Sequence, residues 1–147
     1  MEMESEKPRV VIDTVGFVRS LIRPNGAWGA VLTEFAASYR LVLSPELATE
    51  IRSVFARSKV IRRLAVSAPA AIEFLDRRFE SAVWIYLGSV PQICRDPDDD
   101  MVIATAIAGD AQFLITADDD LLSLGVAQDV RVVTAERFLS IIRSSRM

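Results

Sequence analysis

Histidine is absent from this chain, and cysteine occurs once, as Cys94. Without an imidazole there is no Ser-His-Asp or Cys-His catalysis and no His-ligated metal site. A single thiol makes neither an intrachain disulfide nor a cysteine-rich zinc site. Lysine is nearly missing as well, with only Lys7 and Lys59. The apolar runs are short, such as 41–43 and the largely apolar 102–108. None approaches the roughly 20 residues that span a bilayer, so no membrane association is expected. The first seven residues, MEMESEK, are acidic and carry no apolar stretch of the secretory type. They read as a disordered tail before one domain over 8–143, with a cytoplasmic location expected. Acid–base or metal chemistry near neutral pH is left to carboxylates.

Those carboxylates are unevenly spread. The net charge is −3, from 20 acidic and 17 basic residues. Seven of the acids lie in 96–100 and 118–120. Setting these aside with Asp13 and Glu50 leaves eleven acids against seventeen bases, fifteen of them Arg. Arginine pairs with phosphate bidentately, so a polyanionic partner is compatible with the charge pattern.

Strand-like and helix-like segments alternate along the chain. The run Arg9-Val10-Val11-Ile12 reads as a strand ending at Asp13, followed by a weak helix to about Ile22 and a break at Pro24-Asn25-Gly26. Residues 27–39 read as a helix and 41–43 as a strand. Ser44-Pro45 is a cap followed by proline in the first helical position, opening a helix to about Arg57. Helical segments follow at 59–65 and, after Ser67, at 68–80. A strand is expected over 82–87. Asp96-Pro97 opens another helix through about Ala108. Strands at 113–115 and 130–133 and a helix over 135–143 complete the chain. This alternation predicts an α/β fold, a three-layer α/β/α sandwich with a mainly parallel central sheet. Ligands of such sheets bind outside the carboxyl ends of the strands.

Acids stand at those ends. Asp13 follows the first strand directly, as a site residue or as a cap for the next helix. Asp118 opens the run Asp118-Asp119-Asp120 after the strand 113–115. Three adjacent acids exceed what a cap requires, and crowded like charges are unfavourable without a cation. In the helix from Pro97, Asp100 lies three, four and seven residues before Ile103, Ala104 and Ile107, which puts it on the inward face. A buried carboxylate calls for a partner or a metal. Asp96, Asp98 and Asp99 suit a helix cap and first turn. Glu50 falls at the edge of the apolar face Leu47, Ile51, Val54 and Phe55, as a ligand or as an ordinary boundary residue. Converging carboxylates suit hard cations such as Mg²⁺ or Mn²⁺. Thr14 and Thr116 can orient them through their hydroxyls.

Taken in order, Asp13-Thr14, the segment Ser-Pro-Glu-Leu-Ala-Thr-Glu ending at Glu50, Cys94-Arg95-Asp96-Pro97-Asp98-Asp99-Asp100, and Leu114-Ile115-Thr116-Ala117-Asp118-Asp119-Asp120-Leu121-Leu122 resemble the PIN domain. The nearest likeness is to its VapC-like branch of bacterial toxin–antitoxin ribonucleases. The resemblance spans about residues 8 to 140, with 94–122 its specific part and 22–28 less typical. It implies a Mg²⁺- or Mn²⁺-dependent ribonuclease whose acidic quartet is Asp13, Glu50, Asp100 and Asp118. Asp120 matches a further metal-binding acid, and Thr14 and Thr116 match the hydroxyl positions. Asp96 and Asp99 are features of the branch without an assigned role. Between the adjacent acids, the face argument and the spacing before Ile103-Ala104 both select Asp100. The resemblance also implies an RNA substrate, a small antitoxin partner and a homodimer.

The densest basic stretch, with Arg57, Lys59, Arg62 and Arg63, is either a phosphate contact or a solvated helix face. Two other readings compete with the nuclease. A phospho-receiver domain requires an acidic pair after the first strand and a Lys after the last, and this chain has neither. A non-catalytic module would keep the fold and bind RNA or antitoxin without turnover.

Overall fold

The computed structural model describes residues 7–88, 90 and 96–145. The N-terminal residues 1–6 and the Cys94-Arg95 pair of the acidic motif lie outside the described residues. Val10, Val11 and Ile12 are wholly buried, as β-branched residues are in a strand covered on both faces. They form β1 (Arg9–Ile12), which pairs in parallel with β2 (Arg40–Leu43) on one side and β4 (Phe113–Ile115) on the other. The full order is β3-β2-β1-β4-β6-β5, with β3 (Val83–Trp84) and β6 (Val130–Val133) also parallel to their neighbours. Helices cover this sheet as a three-layer α/β/α sandwich. Among them α6 (Pro97–Ala108) packs against β1, β2 and β4 and against α3 (Pro45–Phe55).

The chain runs outward from β1 to β2 and β3, then returns through α6 to β4 on the other flank of β1. The strand order therefore reverses between β1 and β4, where open α/β sheets form their ligand crevices. Register fixes what stands there. Ile12 is level with Ile115, and the Asp13 N–H donates to the Ile115 carbonyl at 3.0 Å. Asp13 and Thr116 thus leave the sheet side by side.

Helix boundaries follow their caps. Ser44 accepts from the Leu47 N–H ahead of α3, and Ser67 from the Ala70 N–H ahead of α5 (Ala68–Glu80). The basic stretch contains only the one-turn α4 (Ser58–Ile61). The helix expected over 27–39 is instead three short pieces: α2 (Ala27–Gly29), a π-helical turn (Ala30–Glu34) and a 3₁₀ turn (Ala36–Ser38). The Thr33 hydroxyl donates to the Gly29 carbonyl at 2.6 Å, and the Phe35 N–H reaches back five residues to Ala30. Gly29 is needed there, because a Cβ would stand 1.9 Å from the Pro24 carbonyl oxygen. The strand expected over 82–87 shrinks to Val83–Trp84 at the sheet edge. The sequence reading also missed β5 (Val126–Ala127), which runs antiparallel to β6. Its turn into β6 holds Gln128 in left-handed backbone (φ 53°), and Gly125 (φ 65°) takes the same conformation just before the strand. Among the described residues no helix is long and apolar enough to cross a membrane.

Candidate active site

Asp13 occupies the position before α1 (Thr14–Ile22), yet its side chain does not cap that helix. It accepts instead from the Thr116 hydroxyl at 2.9 Å, and Thr116 in turn accepts the Asp118 N–H at 3.0 Å. One buried hydroxyl therefore ties together the acids that end β1 and β4. Burial is the main cause raising the Asp13 pKa. The bonds from Thr116 and the Thr14 backbone oppose the shift, Asp118 adds to it, and Arg19 opposes it.

Thr14 plays the matching part for Glu50. Its hydroxyl donates to the Glu50 carboxylate at 2.6 Å, joining the first residue of α1 to the middle of α3. Glu50 is half-buried, and desolvation raises its pKa; Thr14 lowers it, while Asp98 and Asp13 raise it. The position at the edge of the apolar face is thus the wall of a cavity.

The third element is α6. Asp96 caps it, accepting the Asp98 N–H at 2.9 Å, and Pro97 takes the first helical position. Asp99 is 8% exposed and Asp100 is 5% exposed. The inward placement of Asp100 holds, but the structure does not bring it to the carboxylate cluster. Asp99 has an oxygen within 4.8 Å of oxygens of Asp118 and Asp120, and it lines the same cavity as Asp13, Glu50 and Asp118. Asp100 does not line that cavity, and it has an electrostatic or hydrogen-bonding interaction of its own. The reason is the width of the buried arc. Packed on the sheet and on α3, α6 buries Asp99, Asp100, Val102, Ile103, Thr105 and Ala106, so facing inward does not single out one acid. Asp99 shares its side of the helix with Val102, Ile103 and Ala106, at spacings of three, four and seven. Burial and then the charges of Asp118, Asp96, Asp13 and Asp120 push the Asp99 carboxyl up to about 6.

Asp118 is the cap of α7 (Asp119–Leu122), one oxygen accepting the Asp120 N–H at 2.8 Å. Asp119 is exposed and faces a neighbouring cavity. The acid-lined cavity has a volume of about 480 Å³, and its basic rim is Arg19, Arg57 and Arg63. Of the four basic residues singled out in the sequence, Arg57 and Arg63 therefore reach it, while Lys59 and Arg62 do not line it. Arg19 was missed. Its signal was the lining set Val15, Val18, Arg19 and Ile22, one face of α1 at helical spacing.

The donor set is all oxygen. Among the described residues no Lys or Arg forms an ion pair with Asp13, Glu50, Asp99 or Asp118. Such crowded carboxylates fit a hard divalent cation such as Mg²⁺ or Mn²⁺ and not a site for softer metals.

The chain and its fold both have known relatives. A family model described as the PIN domain matches residues 9–120. An uncharacterized protein of Methanocaldococcus jannaschii, MJ1680, is 33% identical over 125 residues, covering 84% of this chain and 79% of its own length. Two solved structures share the fold. One is the VapBC2 complex of Rickettsia felis bound to a DNA fragment from their promoter (TM-score 0.59, 13% identity, 86% of this chain and 98% of that one). The other is PAE2754 of Pyrobaculum aerophilum (TM-score 0.61, 14% identity, 93% and 90%). At these identities the solved structures speak for the fold alone, while the family model spans most of the chain, including all four of the acids Asp13, Glu50, Asp99 and Asp118. The chain belongs to the PIN-domain family.

Proposed function

We propose that this protein is a Mg²⁺- or Mn²⁺-dependent endoribonuclease and the toxin of a toxin–antitoxin pair. The observation that carries the reading is the meeting of Asp13, Glu50, Asp99 and Asp118, from four separate elements, in one cavity at the switch point of the sheet. These four residues, with Asp120, hold the ion in this account, and Asp99 replaces Asp100 in the quartet. A divalent ion bound there supplies an acidified water and neutralises charge on a phosphoryl oxygen. The chain's own part is placement. Thr116 fixes Asp13 and the Asp118 backbone, and Thr14 fixes Glu50, so the carboxylates are held before substrate arrives. Arg19, Arg57 and Arg63 at the rim supply the positive charge that draws an RNA backbone towards an otherwise acidic cavity. The fold shared with a solved VapBC2 complex supports an antitoxin as partner; a homodimer and a cytoplasmic location belong to the same proposal.

The test is cleavage of a labelled RNA by the purified protein with Mn²⁺ or Mg²⁺, with and without chelator, alongside Glu50→Gln. The reading expects cleavage that chelator abolishes and the variant reduces by at least about tenfold. Cleavage that survives both treatments contradicts it.

A further inference from the structure

A second and larger cavity, about 650 Å³, adjoins the acid-lined one one strand further along the sheet, beside Thr116 after β4 and Thr134 after β6. The two cavities share Arg19, Ile22 and Arg63 as a common wall. This second cavity is lined by charge of both signs. Arg19, Arg23 and Arg63 line it, and so do the carboxylates of Asp119 and Glu136, which the acid-lined cavity does not share. Of its two hydroxyls, Thr116 serves Asp13 and Asp118, and Thr134 accepts the Arg137 N–H ahead of α8 (Ala135–Ser145).

We infer that this cavity is a nucleotide subsite beside the cleavage point, selective for guanine; the inference rests on the ribonuclease reading. A phosphate is repelled by Asp119 and Glu136 and attracted by the guanidinium groups, so the backbone sits on the shared wall at Arg19 and Arg63. The base is then directed towards the carboxylates. Ionised carboxylates only accept hydrogen bonds. Among the RNA bases, guanine alone places two donors, N1–H and the N2 amino group, side by side on its pairing edge, and one carboxylate can take both. Uracil offers a single N–H flanked by two carbonyl oxygens, which the carboxylates repel. The size suits the role, since the cavity lies within the range of pockets that enclose small ligands. Reading the pairing edge of an unstacked base is the usual route to sequence preference in single-stranded RNA.

The experiment is fluorescence anisotropy with two labelled hexaribonucleotides, all-uridine and the same strand with one central guanosine, in chelator so that nothing is cut. Wild type is expected to bind the guanosine strand at least about fivefold more tightly. Glu136→Gln or Asp119→Asn removes that preference, while Arg19→Ala and Arg63→Ala weaken both strands alike and flatten the salt dependence. Equal affinity for the two strands in wild type, or a preference that survives both carboxylate variants, overturns the subsite. A parallel incubation with Mn²⁺ separates this from the parent reading. Guanosine-preferring binding without cleavage contradicts the nuclease and keeps the subsite. Cleavage without any guanosine preference keeps the nuclease and overturns the subsite.

Discussion

The Thr116 hydroxyl donates to the Asp13 carboxylate at 2.9 Å across the carboxyl ends of β1 and β4, two strands brought together by residues 103 positions apart in the chain. The same oxygen accepts the Asp118 N–H, so it holds two of the four clustered acids. Thr116→Val leaves the Asp13 carboxylate and the Asp118 N–H without this partner, at a cost of about 1–3 kcal/mol. It also raises the Asp13 pKa further, because the Thr116 bond is among the causes that lower it. Thr116→Ser keeps the hydroxyl and is expected to restore most of the stability and Mn²⁺ affinity. Urea unfolding and Mn²⁺ titration of both variants check this; equal behaviour of Val and Ser contradicts it.

Asp99 gives the metal-free protein a pH signature. Its carboxyl is held up at about 6 against an ordinary 3.8, first by burial and then by Asp118, Asp96, Asp13 and Asp120. Between about pH 4 and 6 the folded chain therefore binds more protons than the unfolded chain, and stability falls as pH rises through that window. Urea midpoints measured in chelator should drop across it, and Asp99→Asn should remove part of the drop. Parallel slopes for wild type and variant would count against the crowded cluster. Asp13 and Glu50, also raised by burial, contribute in the same direction and leave a residual slope in the variant.

A divalent ion acts in the opposite sense. By binding the folded state alone it stabilises by mass action, about 2.7 kcal/mol at a hundred times its Kd. Mn²⁺ should raise the thermal midpoint of wild type and leave Asp99→Asn or Asp118→Asn nearly unmoved at the same concentration. Calorimetric scans with and without the ion decide this, and an equal rise in all three proteins contradicts the assignment of those ligands.

Gly16 sets the position of α1. A Cβ there would lie 2.4 to 2.9 Å from three atoms of the buried Trp28 ring. Gly16→Ala must displace either the ring or the helix, at about 1–3 kcal/mol. Since α1 carries Thr14 and Arg19, displacement of the helix also loosens Glu50 and the basic rim. Thermal unfolding together with the KM for RNA checks both effects; a variant as stable as wild type would contradict the packing.

Much of this arrangement was legible in the residues. The β-branched run Val10-Val11-Ile12 and the run Phe113-Leu114-Ile115 announce buried strands, and the acids after them mark the sheet edge. The caps Ser44, Ser67 and Asp96 announce helix starts because their chemistry is local. Three features were not legible, each for a physical reason. The bond between Thr14 and Glu50 spans 36 positions and exists only once α1 meets α3. The choice between Asp99 and Asp100 depends on how wide an arc of α6 is covered, which the periodicity of one helix does not reveal. The broken course of 27–39 depends on Thr33 bonding back to Gly29 and on the close approach of Gly29 to Pro24, a tertiary fit that propensity does not register.

The most direct measurement is single-turnover RNA cleavage in Mn²⁺ by wild type, Asp99→Asn and Asp100→Asn, each below its own unfolding transition. The account predicts that Asp99→Asn loses at least about a hundredfold in rate. Asp100→Asn, outside the acid-lined cavity, should keep a rate near wild type while losing about 1–3 kcal/mol of stability. Full activity in Asp99→Asn, with loss confined to Asp100→Asn, would contradict the assignment of Asp99 and return that place in the cluster to its neighbour.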